Sequence, residues 1–333
     1  MKKLLVDGKE FMTGDTKIAM KNLPTSIVEK IKAYDEKSDL ARITGVDDGE
    51  ETTVLDFGLK MGMNRGTFAN VDLGIGNHSR YAERGMGAYF DDKNRLMMFG
   101  SANNVNDMGF PGGGRGRFGA GRQGLNAAKM LGFNYNYEKV KKIRIDLSAF
   151  WNHNDGDAFT RSSAENFVNT TGAFSNSIRQ NYSRSDSWNV QGRLEWQPDT
   201  MTNIMFRPTL SWSKSDGLTT ATSASFNADP YLYSESPLDD SELEEMSREG
   251  IVVNSQKSNS ISYSNSKNLS GMLQVNRKLN TRGRSITFGA GGGYGESDSE
   301  SMSLNATRLW LKHTAEGLDS TYQTHRYNLM PTD

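Results

Sequence analysis

A stretch rich in glycine and arginine, PGGGRGRFGAGRQG at residues 111–124, is the part of the chain whose composition most invites a chemical role. Gly114, Gly116 and Gly119 match G-x-G-x-x-G, the pattern of loops that hold dinucleotide phosphates. Such a loop must leave a buried strand and open a helix, whereas this stretch lies between two alternating segments, RLMMFGSANNV and GLNAAKMLGFNYNY. RNA binding is also unsupported, because the stretch has three arginines and no aromatic RNA-binding module. The sequence therefore predicts a flexible loop. The arginines, which could meet carboxylates, anionic lipid or a ligand, are Arg115, Arg117 and Arg122.

Other residue types that do chemistry are present but do not form a recognisable set. The histidines, which match no zinc-ligand spacing, are His78, His153, His313 and His325. NHNDGDAF (152–159) offers oxygen donors, but its glycine is misplaced for a calcium loop, and we interpret it as a solvated loop. Neither G-x-S-x-G nor a Walker A lysine occurs. The acid pairs are Asp47-Asp48, Asp91-Asp92 and Asp239-Asp240, and we interpret the first two as turn residues whose side chains cap and bond the backbone.

We therefore assign no catalytic, cofactor-binding or metal-binding residue from the sequence, and predict a protein that is not an enzyme and uses no cofactor. Ligand-binding residues stay unassigned. Aromatic residues in predicted loops could stack on sugars or peptides, or could pack the loops together. These aromatic residues are Phe159, Phe167, Phe174, Tyr182, Phe226, Tyr231 and Tyr233.

Composition narrows the class of protein. The chain has 333 residues, 34 glycines, 7 prolines, no cysteine and a net charge of −1. Without cysteine it has no disulfide, thiolate metal site or cysteine nucleophile, and its balanced charge attracts neither nucleic acid nor an anionic surface. No apolar run approaches the roughly 20 residues of a transmembrane helix. The start, MKKLLVDGKEF, lacks the apolar region of a signal peptide, so as written the chain carries no export signal.

From Gly66 onward, segments of about ten residues alternate between apolar and polar side chains, the period of a β-strand. One stripe is Ile143, Ile145, Leu147, Ala149 and Trp151; another is Trp188, Val190, Leu194 and Trp196. Short turns at 91–94, 138–142 and 198–200 alternate with long polar segments at roughly 103–125, 153–186 and 214–265, which we expect to be loops. Short turns at one end and long loops at the other are typical of an outer-membrane barrel.

Two further features bear on this barrel prediction. Aromatic residues near the expected strand ends suit membrane interfaces. A soluble β-sandwich is the alternative, but paired charges on the polar faces, such as Arg144 with Asp146 and Arg193 with Glu195, suit a wet lumen better.

Residues 1–65 have a different pattern of predicted elements. Strand-like stretches lie at 27–36 and 52–62, a short helix capped by Asp15 is expected before Pro24, and residues 46–51 read as a turn. A second short helix is expected within 236–250, with Ser236 or Ser241 as its cap and Gly250 after it. The fold class predicted is all-β: a partial transmembrane antiparallel β-barrel preceded by a small mixed α/β partial plug domain.

Four segments, LLVDGKEF, NLPTSIVEKIKAYDEKSD, TGVDDGEE and GSANNVNDMGF, resemble those of a known family. The chain resembles the outer-membrane β-barrel proteins of Bacteroidetes related to TonB-dependent receptors, most strongly through about residue 136. The resemblance implies that residues 1–65 are the C-terminal part of a plug domain and that 66–333 are the N-terminal portion, about ten strands, of a plugged barrel of 22. It thus implies an internal fragment, with the signal peptide and TonB-interacting box lying upstream.

The resemblance also implies a function. The expected role is uptake of a nutrient, a glycan or a peptide, across the outer membrane; the alternative is a non-transporting structural or adhesive barrel with a fixed plug. Outer-membrane lipid is the expected partner. TonB, through upstream sequence, and a surface lipoprotein are further candidate partners, and no nucleic acid is expected.

Overall fold

A computed structural model of the chain describes ten stretches of it. They are residues 3–10, 28–38, 41–42, 49–60, 65–106, 124–140, 142–167, 171–280, 284–310 and 320–329. The fold is all-β, as predicted, and consists of a small sheet and a large one. Among these residues no helix is both long and apolar enough to cross a membrane.

The first four strands form a sheet in the order β2-β1-β4-β3. They are β1 (Lys3–Val6), β2 (Lys9–Glu10), β3 (Val28–Lys37) and β4 (Glu51–Leu59). Strands β1 and β4 are parallel, and the other pairs are antiparallel. Asp7 turns the chain between β1 and β2, and its carboxylate accepts the N–H of Leu59 at 2.9 Å. The strands predicted at 27–36 and 52–62 are confirmed; the helix expected after Asp15 lies outside the described residues.

The other ten strands form one antiparallel sheet in which every strand pairs with its neighbours in sequence. They are β5 (Gly66–Gly76), β6 (Arg80–Phe90), β7 (Asn94–Asn103), β8 (Leu125–Lys139), β9 (Ile143–Glu165), β10 (Phe174–Trp196), β11 (Thr202–Phe226), β12 (Val252–Lys278), β13 (Ser285–Leu309) and β14 (Ser320–Leu329). This meander, with edge strands β5 and β14, is consistent with part of a barrel. The division of the chain into domains at residue 65 stays a prediction.

The expected short turns are present, but two expected long loops are wrong. Strand β9 continues through the segment 153–165, and β10 begins at Phe174, so most of 153–186 is paired strand. Likewise β11 and β12 pair continuously as far as Phe226 and Val252. Serine, threonine and asparagine dominate these extensions on at least one face, so they lack the apolar alternation that marks a strand in sequence. The third segment, 103–125, connects β7 to β8, and its residues 107–123 lie outside the described residues.

Two apolar clusters hold the fold together. The first joins the small sheet, through Leu4, Val6 and Phe57, to one face of the large sheet, through Met97 and Met130. We call this covered side of the large sheet the inner face and the opposite side the outer face. By strand alternation, each residue of β5–β14 belongs to one or the other.

The second cluster lies at the far end of β10–β13, where helix α1 (Asp240–Arg248) packs through Leu243 and Met246 against Phe226 and Val252. The predicted helix is confirmed, including Gly250 with φ +70° just after it. The predicted serine caps are wrong, since the N-cap residue is Asp239.

Candidate functional site

The outer face of the large sheet has a continuous apolar band beside the short turns. On β9 the band occupies residues 143–151, and the register places these residues beside 188–196 of β10. The same rows continue through 204–212 of β11, and on β12 and β13 the apolar residues of these rows lie within 269–275 and 288–294, because the last row there holds Lys267 and Glu296. The segments on β9, β10 and β11 span nine residues each, close to the 9–11 that a tilted strand needs to cross a bilayer.

Many side chains of this band are exposed although they are apolar. The exposed fractions of these run from 36% for Leu194 to 65% for Tyr294, while others, such as Ile145 and Val190, are half-buried. Others of the same kind are Leu147, Phe206, Leu210, Leu269 and Phe288. A contiguous apolar surface of this extent is not stable in water and marks a site of contact with lipid or protein.

Tryptophans form the border of the band away from the turns. Trp151, Trp188 and Trp212 are aligned in one register row, with 6.1 Å between the ring centroids of the first two. The indole Nε1 of Trp212 donates a hydrogen bond to Asn265 Oδ1, one row beyond the band, at 2.9 Å. Indoles with an apolar body and a polar partner are typical of membrane interfaces. Their row ends the apolar band and not the strands, which continue beyond it.

Charged side chains replace apolar ones in the next rows of the outer face. His153 Nδ1 lies 2.8 Å from Asp186 Oδ1, and His153 Nε2 lies 2.9 Å from Asp155 Oδ2. Arg184 Nε donates to the other oxygen of Asp155 at 2.7 Å. Burial opposes protonation of His153, but its hydrogen bonds to Asp186 and Asp155 outweigh burial and raise its pKa. Thus the face changes from apolar to ionic within a single register step.

The inner face carries a polar network at the level of the outer band. Asp146 accepts hydrogen bonds from Arg144 Nε and Asn136 Nδ2, each at 2.8 Å. Glu195, only 5% exposed, accepts from Arg193 at 3.2 Å, from Asn203 at 2.9 Å and from Arg42 at 2.8 Å. The sequence-predicted charge pairs therefore share this face. Arg42 belongs to the segment between β3 and β4, so Glu195 also ties that segment to the large sheet.

The small sheet makes a second polar contact with the inner face. Arg95 of β7 is 6% exposed, and its guanidinium donates to the carbonyl oxygen of Val6 and lies 3.5 Å from the carboxylate of Asp7. A buried guanidinium needs such partners to offset its lost hydration. The inner face is thus occupied by the small sheet beside β6–β8.

Beyond the band, a cavity of about 710 Å³ follows one register row of the large sheet. The residues of that row are Asn126, Gly156, Ser183, Gly217 and Ser262. All five lie on the inner face, because side chains alternate between the two faces along a strand. The two glycines contribute no side chain to this row. Their strand neighbours on either side complete the lining together with Arg80 and Asn104.

The residues singled out in the sequence do not converge. The glycine-rich stretch lies outside the described residues except for Gly124, whose φ is +82° and whose Cβ position would collide with the backbone of Asp157. His78 is in the turn between β5 and β6, while His313 lies outside the described residues and His325 belongs to β14.

The oxygen donors of NHNDGDAF lie along strand β9, so the interpretation of this segment as a solvated loop is wrong. Asn152 and Asn154 fall on the inner face and Asp155 and Asp157 on the outer, so they cannot surround one ion. Within the described residues no group of three or more histidine or acidic side chains could hold a metal.

The acid pairs have structural contacts where they are described. Asp91 accepts the N–H groups of Lys93 and Asn94 in the β6–β7 turn, at 2.7 and 2.5 Å, and these bonds hold its pKa well below the usual range. Asp92 pairs with Arg65. Asp240 pairs with Lys257 at 2.6 Å, while 47–48 lie outside the described residues.

The aromatic residues considered as ligand contacts lie on the outer face or at its far end. Phe174 and Phe226 pack in the cluster around α1. Phe159 and Tyr182 are outer-face residues, and Tyr231 lies under the guanidinium of Arg161, 5.9 Å from ring centroid to Cζ. None of the four that lie on strands, Phe159, Phe174, Tyr182 and Phe226, is on the inner face. This follows from the alternation of side chains along a strand, which can be applied only once the extensions are known to be strands.

Comparison with known proteins gives distant matches only. No family model matches the chain, and no curated protein is significantly similar to it in sequence. Among solved structures it is similar to the ferric yersiniabactin uptake receptor FyuA from Yersinia pestis, with 10% identity, a TM-score of 0.23 and coverage of 98% of this chain and 51% of that one. For the siderophore receptor PiuA from Acinetobacter baumannii the identity is 10% and the TM-score 0.21, with coverage of 92% of this chain and 56% of that one. For the ferric-catecholate import receptor Fiu from E. coli K12 the identity is 9% and the TM-score 0.23, with coverage of 92% of this chain and 62% of that one.

This chain thus spans between 51% and 62% of the length of these three structures. Similarity at this level assigns neither a ligand nor a function to it.

Proposed function

We propose that this chain is part of an outer-membrane β-barrel protein of the TonB-dependent-receptor type. The ten-stranded sheet forms one side of the barrel, and the four-stranded sheet belongs to a plug within the lumen. The observation that supports the proposal most directly is the apolar band, which occupies the same register rows across β9–β13. It ends in the row of Trp151, Trp188 and Trp212 on β9–β11, and one row earlier, at Leu269 and Tyr294, on β12 and β13.

Lipid is the environment that fits this band. Its side chains are exposed and apolar, while the inner face at the same height is polar and partly covered by the small sheet. An outward apolar belt around a polar interior is the arrangement of a membrane barrel. In water the same belt would leave a large apolar surface uncovered.

The direction of the barrel follows from the strand lengths. The short turns at 91–93 and 198–200 lie at the periplasmic end, and the extensions of β9–β13 stand outside the cell. From Trp212 to Phe226, at about 3.3 Å per residue, β11 extends roughly 45 Å along its own axis beyond the tryptophan row. These extensions form the outer vestibule of the proposed barrel.

In this proposal the protein takes up a nutrient, a glycan or a peptide, with energy supplied through TonB and capture assisted by a surface lipoprotein. The plug assignment is supported by Glu195, which holds Arg42 at 2.8 Å, and by Arg95, which holds Val6 and Asp7. The same contacts would also suit a plug that stays seated, as in a non-transporting structural barrel.

Substituting Leu210→Arg tests the membrane position. Leu210 lies in the band and is 43% exposed, whereas Ser211, its neighbour in β11, faces inward. Leu210 lies two residues inside the tryptophan row, so an arginine facing lipid there costs less than the about 2–4 kcal/mol of the bilayer midplane but more than at the interface. L210R should therefore reduce the folded, heat-modifiable protein in the outer-membrane fraction. Ser211→Arg is the matched control and should be tolerated. Equal recovery of both variants would contradict the proposal.

Uptake is tested in the host by deleting the gene that encodes this sequence. Growth on a panel of glycans and peptides as sole carbon source should fall for at least one compound and recover on complementation. Unchanged growth on the whole panel would favour the structural barrel with a fixed plug.

A further inference from the structure

The inner face of the strand extensions is a lattice of small uncharged polar side chains. The register aligns these residues in rows across β9–β13, beginning just beyond the tryptophan row. The rows are Asn152-Ser187-Ser213-Ser266-Ser297, Asn154-Ser185-Ser215-Ser264-Ser299, Gly156-Ser183-Gly217-Ser262-Ser301, Ala158-Asn181-Thr219-Ser260-Ser303, Thr160-Arg179-Ala221-Ser258-Asn305 and Ser162-Ser177-Ser223-Gln256-Thr307. Most positions are serine or threonine, and the single charged residue in these rows is Arg179. We call this set the hydroxyl lattice.

The outer face of the same strand segments is different. Its rows hold many charged residues together with exposed apolar side chains such as Leu218 and Ile261. The charged residues are Asp155, Asp157, Arg161, Arg184, Asp186, Lys214, Asp216, Lys257, Asp298, Glu300 and Arg308. Strands that were merely solvated on both sides would have no reason to keep charge on one side. The segregation therefore marks the inner face as a distinct surface.

The hydroxyl lattice is available to solutes. None of its residues is buried. One of the bonds between its side chains runs from Thr219 Oγ1 to Asn181 Oδ1 at 2.7 Å. The cavity of about 710 Å³ runs along its third row. Hydroxyl groups both donate and accept hydrogen bonds, so most of the lattice can bond to water or to a solute in either role.

We propose that the hydroxyl lattice is the contact surface for an uncharged, polyhydroxylated solute, a neutral oligosaccharide, on its way into the barrel. This inference rests on the proposed function and narrows its substrate class from glycan or peptide to neutral glycan. The lattice rows hold one cation and no carboxylate, and Arg80 is a further cation beside the third row. So small a charge gives little field to concentrate peptides by charge or anionic metal chelates.

The lattice is suited to passage more than to tight capture. Each neutral hydrogen bond contributes only about 0.5–1.5 kcal/mol net, because it replaces a bond to water, and the rows hold no aromatic ring on which a sugar could stack. Movement along a lumen requires binding that is weak and repeated over several sites. Hydroxyl groups repeated about 4.8 Å apart across the strands provide such sites.

Saturation-transfer NMR on the purified full-length protein, with maltohexaose and hexagalacturonate as probes, tests the proposal. Maltohexaose should receive more saturation than the anionic probe of equal length. The double variant Ser215→Asp/Ser264→Asp adds two carboxylates to one row, and is expected to reduce hexagalacturonate binding further, by about tenfold for two like charges near a bound anion.

A matched control places the same charges on the outer face. Thr220 and Asn259 are cross-strand partners in β11 and β12, so Thr220→Asp/Asn259→Asp should leave both probes unaffected. Stronger transfer to hexagalacturonate than to maltohexaose, equal effects of the two double variants, or no transfer to either probe would overturn the proposal. Each of these outcomes is independent of L210R, whose loss from the outer membrane would still support the barrel.

Discussion

At the scale of single residues, His153 marks the point where the outer face changes from apolar to ionic. Its ring stacks on Trp151 with centroids 6.0 Å apart, and its two nitrogens contact Asp186 and Asp155. A histidine between two carboxylates is stabilised in its protonated form. The cluster therefore holds β9 and β10 together at the proposed membrane interface in a manner that depends on pH.

The pH dependence has a definite sign. Because the pKa of His153 is raised above 6.5, its contribution to stability is complete below pH 6.5 and is lost as pH rises through the folded-state pKa. The free energy of unfolding of the full protein in detergent should thus fall between pH 6 and 9. His153→Gln should remove that slope. A slope equal in both proteins would contradict the assignment to His153.

Glu195 is the residue whose loss should release the segment around Arg42 from the large sheet. Its carboxylate is buried and receives bonds from Arg42, Arg193 and Asn203. Breaking a buried pair costs about 3–5 kcal/mol, and Glu195→Ala should fall at or below the lower end because the Arg42 side chain is 40% exposed. Limited proteolysis should then cleave the segment around residue 42 faster.

The conservative variant separates this role from a general loss of folding. Glu195→Gln keeps the shape and two acceptor lone pairs, so its cleavage rate should lie between those of the wild type and E195A. If E195A increased the cleavage rate in β10–β13 as much as near residue 42, Glu195 would be supporting the large sheet and not its contact with the segment around Arg42.

Residue types alone could not identify these contacts from the sequence. Asp155 and Asn154 look like ligands of one calcium ion until strand alternation sends them to opposite faces. His153 is a scattered histidine in the sequence, and it meets Asp186 only through the β9–β10 register. The pairs Arg144 with Asp146 and Arg193 with Glu195 were predictable because i and i+2 in a strand share a face.

At the scale of elements, the strands near the turns could be read from the sequence and their extensions could not. Within the band one face needs apolar residues, so the alternation that includes Ile143, Leu147 and Trp151 predicts the strand. Beyond Trp151 both faces meet water in the proposed barrel, and β9 is held by backbone pairing to β8 and β10. Serine-rich segments of this kind have the composition of loops.

Helix α1 shows how the far ends of the strands are closed. Its side chains Leu243 and Met246 cover Phe226 and Val252. Arg308 of β13 lies 3.3 Å from Glu244 of the helix. The sequence predicts this helix from its pattern, because local capping and spacing suffice for it. Its packing partner is not predictable, since the ends of β10 to β13 meet only after the extensions have paired.

Leu243→Ala should loosen this closure without unfolding the barrel. Leu243 is 1% exposed, and truncating a buried leucine costs about 2–5 kcal/mol. Hydrogen exchange should rise in residues 227–251 and in the adjoining ends of β11 and β12, while the band keeps its protection. Glu245→Ala, an exposed position of the same helix, is the control. Uniform loss of protection throughout the sheet would show that α1 supports more than the tip.

At the scale of the whole molecule, the large sheet has two edges. Among the described residues β5 pairs only with β6, and β14 only with β13. Unpaired backbone groups at such edges cannot find water within a bilayer, so a membrane-spanning sheet must be closed. If the proposed function is correct, the apolar band and the two open edges together require further strands to close the barrel. These strands come from the same polypeptide or from another copy.

The 333-residue chain by itself should therefore fail to form a stable barrel. Refolded into detergent micelles, it should give no folded, heat-modifiable monomer on a gel, because closing β5 directly onto β14 would force ten strands around the small sheet and the side chains of Met97, Met130 and Phe150 that it contacts. Co-expression of the remaining strands of the full-length protein should restore the shift. A sharp heat-modifiable band from the 333 residues alone would show that these ten strands close on themselves, and the proposal of a larger barrel would be wrong.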